Sequence, residues 1–204
     1  MSEITTLYWD VGGVVLSNGW DRDARGAACR RFDIDEEDFE RRHELVDEAF
    51  EIGRLSLDAY LDSTVFYEAR AFSREEFTAF FFGQSSQNAG TLAELEAIAG
   101  TRRYLLATLN NESAELNLHR IRTFQLTRYF TAFLSSCYLG VRKPGESIYR
   151  LALGITQRPA AQSIFIDDRP ANLEPARRLG MHTIHFQNPL QLRNDLADCG
   201  VRYD

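Results

Sequence analysis

The strongest constraint on this 204-residue chain is a first strand that stops abruptly and is left without a neighbour. Residues Ile4–Trp9 are short, apolar and rich in strand formers, and they run straight into Asp10-Val11-Gly12-Gly13. That pattern reads as a buried β-strand entering a tight turn. From Asp21 to about Phe82 the spacing is helical, with no convincing strand. Leu57, Tyr60, Leu61 and Val65 mark one amphipathic helix, and Phe39, Leu45, Val46 and Phe50 mark another. Ser73 followed by Glu75 and Glu76 reads as a helix start, with acidic groups complementing the helix dipole. The small, polar run Gly83–Gly90 is a linker out of this block.

After Gly90 strands and helices alternate. A helix bearing Leu92, Leu95 and Ile98 leads to a strand at Arg103–Thr108, and a helix begins near Asn111 and Glu112. A short apolar segment lies near Phe133–Cys137, followed by a helix with Ile148, Leu151, Ala152 and Ile155 on one face. A strand at Ser163–Ile166 ends in Asp167-Asp168; a helix over Pro170–Leu179 and a strand over His182–Phe186 complete the pattern. Alternation of this kind implies a Rossmann-like parallel sheet with helices on both faces, because each crossover must return over the sheet. The expected organisation is an α/β core, residues 1–17 and 89–204, interrupted by an all-helical insertion at residues 18–88.

Composition bounds the function. The net charge of −7 argues against nucleic acid or an anionic membrane as the main partner. No apolar run approaches a membrane span and no leader pattern opens the chain, so a cytoplasmic location is expected. Cys29, Cys137 and Cys199 are odd in number and widely spaced, which suggests buried thiols rather than a disulfide or zinc framework. Residues 18–88 hold 17 acidic and 9 basic side chains, against 13 and 14 elsewhere, and a solvated helical face accounts for most of that surplus.

In an open parallel sheet, ligands bind beyond the carboxyl ends of the strands. Asp10, Thr108 and the pair Asp167-Asp168 are read at such ends, and Lys143 lies in the loop Gly140–Pro144. Carboxylates, a hydroxyl and an ammonium on one sheet edge suit phosphoryl transfer. Asp10 can attack phosphorus, dividing hydrolysis into two easier steps through an aspartyl-phosphate. Asp10 and Asp168 supply hard oxygens for Mg²⁺, Thr108 a hydrogen bond, Lys143 a point charge, and Gly12 and Gly13 a close backbone approach. Each residue alone also has a plain structural reading. Asp10 suits a turn, Thr108 and Asp167-Asp168 suit helix caps, and Lys143 suits an ordinary surface. Yet the chain uses Arg at 22 of its basic positions and Lys only at 143.

These segments resemble the haloacid dehalogenase superfamily. LYWDVGGVVL is similar to its nucleophile motif, LLATLNNES to its second motif, YLGVRKPGESIYRLAL to its third and SIFIDDRPANLEPARRLGM to its fourth. Residues 18–88, with FEIGRLSLDAYL, look like the family's small helical cap. The resemblance implies a Mg²⁺-dependent phosphatase of a small phosphorylated metabolite, closest in look to the branch of bacterial glucose-1-phosphatase, which acts on a sugar phosphate. It implies Asp10, Thr108 and Lys143 as catalytic residues, and Gly12, Gly13, Thr108, Asn110 and Lys143 as substrate contacts. It also implies Asp10, the Gly12 carbonyl and Asp168 as metal ligands, with Asp167 supporting and Asn172 orienting the acidic pair. Whether such a chain is a monomer or a homodimer stays open.

Two positions depart from the family pattern. Most of its phosphatases carry a second Asp two residues after the nucleophile as general acid and base, and Gly12 stands there instead. Leu109 stands where a polar residue often follows the hydroxyl. His43 and Asp21 are conceivable donors. The alternatives are a 2-haloacid dehalogenase, which the paired acids disfavour, and a binding protein that has lost catalysis.

Overall fold

The computed structural model describes residues 3–203. Its centre is a five-stranded, all-parallel sheet in the order β3-β2-β1-β4-β5. The strands are β1 (Thr6–Trp9), β2 (Leu105–Asn110), β3 (Ala132–Ser135), β4 (Ser163–Asp167) and β5 (His182–His185). β1 is central, and the chain leaves it first towards β2 and later returns to its other side at β4. That reversal opens a crevice beyond the carboxyl end of β1.

Alternation along β1 builds the two layers, since successive side chains point to opposite faces. Leu7 and Trp9 join Leu95, Ile98, Leu192 and Leu196 in one core, whereas Tyr8 joins Ile148, Tyr149, Leu173 and Ala176 in the other. The first core is roofed by the helices Ala89–Thr101 and Pro189–Asp198, the second by Glu146–Thr156 and Pro170–Arg178. The expected α/β sandwich is therefore present. On the helix Glu146–Thr156 the buried face differs from the expected one. Ile148, Tyr149 and Ala152 face inward while Leu151 and Ile155 are exposed, because Tyr149 inserts and donates its hydroxyl to the Asn172 carbonyl.

Between β1 and the helix Ala89–Thr101 lie five helices, α1 (Arg22–Phe32), α2 (Glu36–Glu44), α3 (Asp47–Glu51), α4 (Leu57–Thr64) and α5 (Arg74–Phe82). Their own core is aromatic. Trp20 packs against Phe39, Phe77 and Phe81, and Phe50 stacks on Tyr60 at 4.2 Å between centroids. Such pairs contribute about 0.5–1.5 kcal/mol each beyond the area they bury. The helix expected over Phe39–Phe50 is two helices. The chain breaks at Leu45 and Val46, leaving Leu45 exposed, and the break turns Phe50 inward onto Tyr60. Ser73 forms the expected helix start as a full capping box with Glu76.

The insertion is docked on the core by specific contacts. Ser136 donates to the Glu51 carbonyl at 2.6 Å, and Leu57 N donates to the Glu115 carboxylate at 2.9 Å. Leu116, on the core helix Ala114–Thr123, is buried in the insertion's aromatic cluster. No helix among the described residues is long and apolar enough to cross a membrane.

Candidate active site

Asp10 is the first residue beyond β1, and its amide still bonds to the Ile166 carbonyl at 2.9 Å, so the ladder fixes its backbone. Its Oδ1 accepts from Val11 N at 2.8 Å and faces Lys143 Nζ at 3.0 Å. Both contacts fall on Oδ1, and no described donor reaches Oδ2. Asp10 borders a cavity of about 570 Å³ between the sheet edge and the helical insertion.

Lys143 is almost fully buried and bridges two carboxylates, with Asp167 Oδ2 at 2.6 Å. Asp167 is saturated further, because Asn172 Nδ2 donates to both its oxygens and Arg169 N donates to Oδ1. Asp168 is different. Its Oδ1 is buried with no hydrogen-bond partner, although one carboxylate oxygen from each of Asp10, Asp167 and Asp168 lies within 4.8 Å of the others. Gly13 explains how Asp168 comes so close. Its φ of +77° is the left-handed region, and a Cβ there would overlap the Asp168 carboxylate.

Charge follows from this crowding. Burial pushes the Asp10 carboxyl up to about 7; Lys143 opposes the shift, and Asp167 and Asp168 add to it. Burial likewise raises Asp168, with Asp167 adding to the shift. Burial alone would lower Lys143, but Asp10 and Asp167 outweigh it and hold the ammonium above its ordinary value. Three carboxylates against one ammonium leave excess negative charge in a confined space. Hard oxygen donors, one of them an orphan, suit a divalent cation such as Mg²⁺.

The sequence-expected residues divide. Asp10, Gly12 and Lys143 line the cavity, and Asp167 and Asp168 cluster with Asp10. Asn172 meets Asp167, as the resemblance implied. Thr108 does not follow β2 but lies inside it, opposite Trp9, fully buried and without a partner for its hydroxyl. The strand runs on to Asn110 because β3 pairs with it there, Asn110 opposite Ser135. Asn110 is itself committed, accepting from Ser135 and donating to Asn117. Neither Thr108 nor Asn110 borders the cavity. His43 and Asp21, left unplaced by the sequence, both do.

Other residues were not singled out by sequence. Asn111 and Lys143 exchange hydrogen bonds, side chain to main chain at 2.8 and 2.9 Å, pinning the Lys143 loop to the end of β2. Arg142, beside Lys143, reaches Asp47 and Glu51 of α3, each at 2.9 Å, and holds the insertion over the site. Glu112 and Arg120 form a buried pair at 2.7 Å on the cavity wall. Asn111 and Glu112 lie in the segment LLATLNNES, so a strand read two residues longer would have exposed them.

Comparison with known proteins gives a family and a fold. A family model described as haloacid dehalogenase-like hydrolase matches residues 73–186. Flavin mononucleotide hydrolase 1 of Arabidopsis thaliana is 36% identical over 77 residues, 38% of this chain and 31% of that protein. Bifunctional epoxide hydrolase 2 of Mus musculus is 33% identical over 72 residues, 35% of this chain and 13% of that protein. The matches thus span less than a third of either relative. Among solved structures, a HAD family enzyme from Bacteroides thetaiotaomicron superposes with a TM-score of 0.75 at 19% identity, covering 92% of this chain and 95% of that one. The same enzyme has been crystallised with magnesium and inorganic phosphate. An L-2-haloacid dehalogenase superposes with a TM-score of 0.68 at 17% identity, covering 96% and 99%.

Proposed function

Because the chain belongs to the haloacid dehalogenase-like hydrolase family, we propose that it is a Mg²⁺-dependent phosphatase of a small phosphorylated metabolite, with Asp10 as nucleophile. The observation that carries this reading is the carboxylate cluster with its orphan oxygen beside Asp10. Asp10, Asp168 and the Gly12 carbonyl would hold the cation, with Asp167 behind them. Bound there, Mg²⁺ supplies charge neutralisation between an anionic nucleophile and an anionic substrate.

The chain's own groups do the rest. Val11 N and Lys143 hold Asp10 Oδ1, which turns Oδ2 towards phosphorus for formation of an aspartyl-phosphate. The Lys143 ammonium lies where it can follow charge moving from Asp10 onto the phosphoryl oxygens. Asn111 keeps that lysine in place. The helical insertion acts as a cap, held down by Arg142, and excludes water from the leaving group. Similarity to a flavin mononucleotide hydrolase supports a phosphate monoester as substrate, and a sugar phosphate fits the same chemistry. The clustered acids argue against dehalogenation, in which the same carboxylate attacks carbon without a metal.

The test is a panel of phosphomonoesters assayed with Mg²⁺, with EDTA, and with Asp10→Asn. Release of phosphate that needs Mg²⁺ and vanishes in the variant is the expected result. Hydrolysis retained in EDTA, or undiminished in Asp10→Asn, would overturn it.

A further inference from the structure

Attack by Asp10 expels an alkoxide, and an alkoxide leaves slowly unless it is protonated. Gly12 carries no side chain to do this, so the acid must stand elsewhere on the cavity wall. Lys143 is engaged by Asp10 and Asp167. Asp47 and Glu51 are held by Arg142. Asp21 caps α1 through Ala24 N. His43 has its Nδ1 against the Tyr60 hydroxyl at 2.9 Å, and burial holds its ring down at about 4, too low to carry a proton near neutrality.

Glu112 is paired to Arg120 through Oε1 alone and keeps its other oxygen, Oε2, without a partner. It lines the cavity and is more than nine-tenths buried. Its backbone is held by Ser136, whose Oγ accepts from Glu112 N at 2.9 Å. A Cβ built on Gly12 would stand 3.2 Å from Asn18 Oδ1 and 3.7 Å from Arg120 Nη1, the atom that donates to Glu112 Oε1 at 2.7 Å. A side chain on Gly12 would thus lie beside Asn18 and Arg120, one hydrogen bond from Glu112.

We propose, on the phosphatase reading above, that Glu112 is the general acid and base of this active site and that Arg120 is its positioning residue. In the first step the P–O bond to the leaving group breaks, its electron pair goes to the leaving oxygen, and Glu112 delivers a proton there. In the second step a water oxygen attacks phosphorus, Glu112 takes up the water's proton, and the Asp10 carboxylate departs with the electron pair. The cycle returns Glu112 to its protonated form.

Burial pushes the Glu112 carboxyl up to about 7, Arg120 and Lys143 pull it down, and Glu51 of α3 pushes it up. Cys137 faces it from the core helix Ser136–Leu139, with its own thiol raised by burial. Arg120 also fixes where the acid stands. Its Nε donates to Ser85 Oγ and its Nη2 to the Ser17 carbonyl, gripping both connections between core and cap.

The experiment compares 4-nitrophenyl phosphate, whose leaving group needs no proton, with benzyl phosphate, whose leaving group does. Single-turnover release of each alcohol is measured with Mg²⁺ for the wild type and Glu112→Gln. The expected result is a loss of about 10²–10⁴-fold on benzyl phosphate and less than about tenfold on 4-nitrophenyl phosphate. Equal losses on both esters, or none on either, would overturn the proposal. Should Glu112→Gln fail to fold by circular dichroism, the wild-type pH profiles decide. Benzyl release should fall towards alkaline pH where nitrophenolate release does not, and superimposable profiles sink the idea. A wild type that releases nitrophenolate but never benzyl alcohol has no acid, and also refutes it. If neither ester turns over and Asp10→Asn is indistinguishable from wild type, the phosphatase reading fails first and takes Glu112's role with it.

Discussion

Lys143 Nζ lies 2.6 Å from Asp167 Oδ2, in a position that is nearly sealed from solvent, and 3.0 Å from Asp10 on its other side. The lysine thus holds nucleophile and acidic pair together. Replacing it with Met removes the one ammonium from a buried cluster of carboxylates. Breaking such a pair costs about 3–5 kcal/mol, since the remaining charges are left uncompensated. Lys143→Met should therefore lower the midpoint of chemical denaturation at pH 7.5. On the phosphatase reading, Mg²⁺ should restore part of that stability without restoring phosphate release.

Gly13 permits the approach of Asp168 to the cluster. Alanine at this left-handed position costs roughly 1–2 kcal/mol of backbone strain, and its methyl displaces the carboxylate. Gly13→Ala is expected to raise the Mg²⁺ concentration needed for half-maximal activity more than tenfold. Isothermal titration with Mg²⁺ checks the same effect without turnover. An unchanged Mg²⁺ requirement would show that Asp168 does not hold the cation.

Thr108 and Asn111 make opposite forecasts. The Thr108 hydroxyl is buried without a partner, so Thr108→Val removes an unsatisfied group and keeps the shape. It should leave stability within about 1 kcal/mol and activity within about twofold. Asn111→Ala removes both bonds that hold the Lys143 loop, and should lower kcat about tenfold or more with little change in KM. A large loss in Thr108→Val would restore the hydroxyl role that the sequence suggested.

His43 adds a pH dependence of its own. Its ring is held down to about 4 in the folded protein by burial, with Arg25 also lowering it, against an ordinary value of 6.5. A depressed value means the fold favours the neutral ring. That stability is present above pH 6.5 and is lost as the pH falls towards 4. Between pH 7 and pH 5 the loss is on the order of 2 kcal/mol. His43→Gln does not titrate, so the wild type should lose stability relative to it over the same interval, while the raised Asp10 and Glu112 carboxyls act alike in both proteins. Parallel curves for the two proteins would exclude this assignment.

Much of the architecture was legible in the chain. Leu7, Trp9 and Tyr8 alternate faces as their pattern requires, and the strand-helix alternation after Gly90 made a parallel sheet the natural reading. Helix starts such as Ser73 were also readable, because a cap is a local affair of a side chain and an amide three residues on. Thr108 lies where local pattern no longer suffices. Its strand end depended on β3, whose pairing at Asn110 and Ser135 carries β2 two residues further. Leu45 and Ile155 failed for a related reason, since an apolar residue at helical spacing says nothing about which neighbour arrives to cover it.

Periodicity and turn chemistry act over a few residues, so the chain alone shows most of the elements, their order and the carboxylates Asp10, Asp167 and Asp168. What those groups meet depends on the closed fold. It placed Arg142 against Asp47 and Glu51, and it left an oxygen of Asp168 bare. It also set the Arg120–Glu112 pair on the cavity wall, with Arg120 Nη1 3.7 Å from where a Cβ on Gly12 would stand. Such contacts join residues far apart in the chain, and their energies depend on burial and distance, which exist only once the sheet and its insertion have closed on each other.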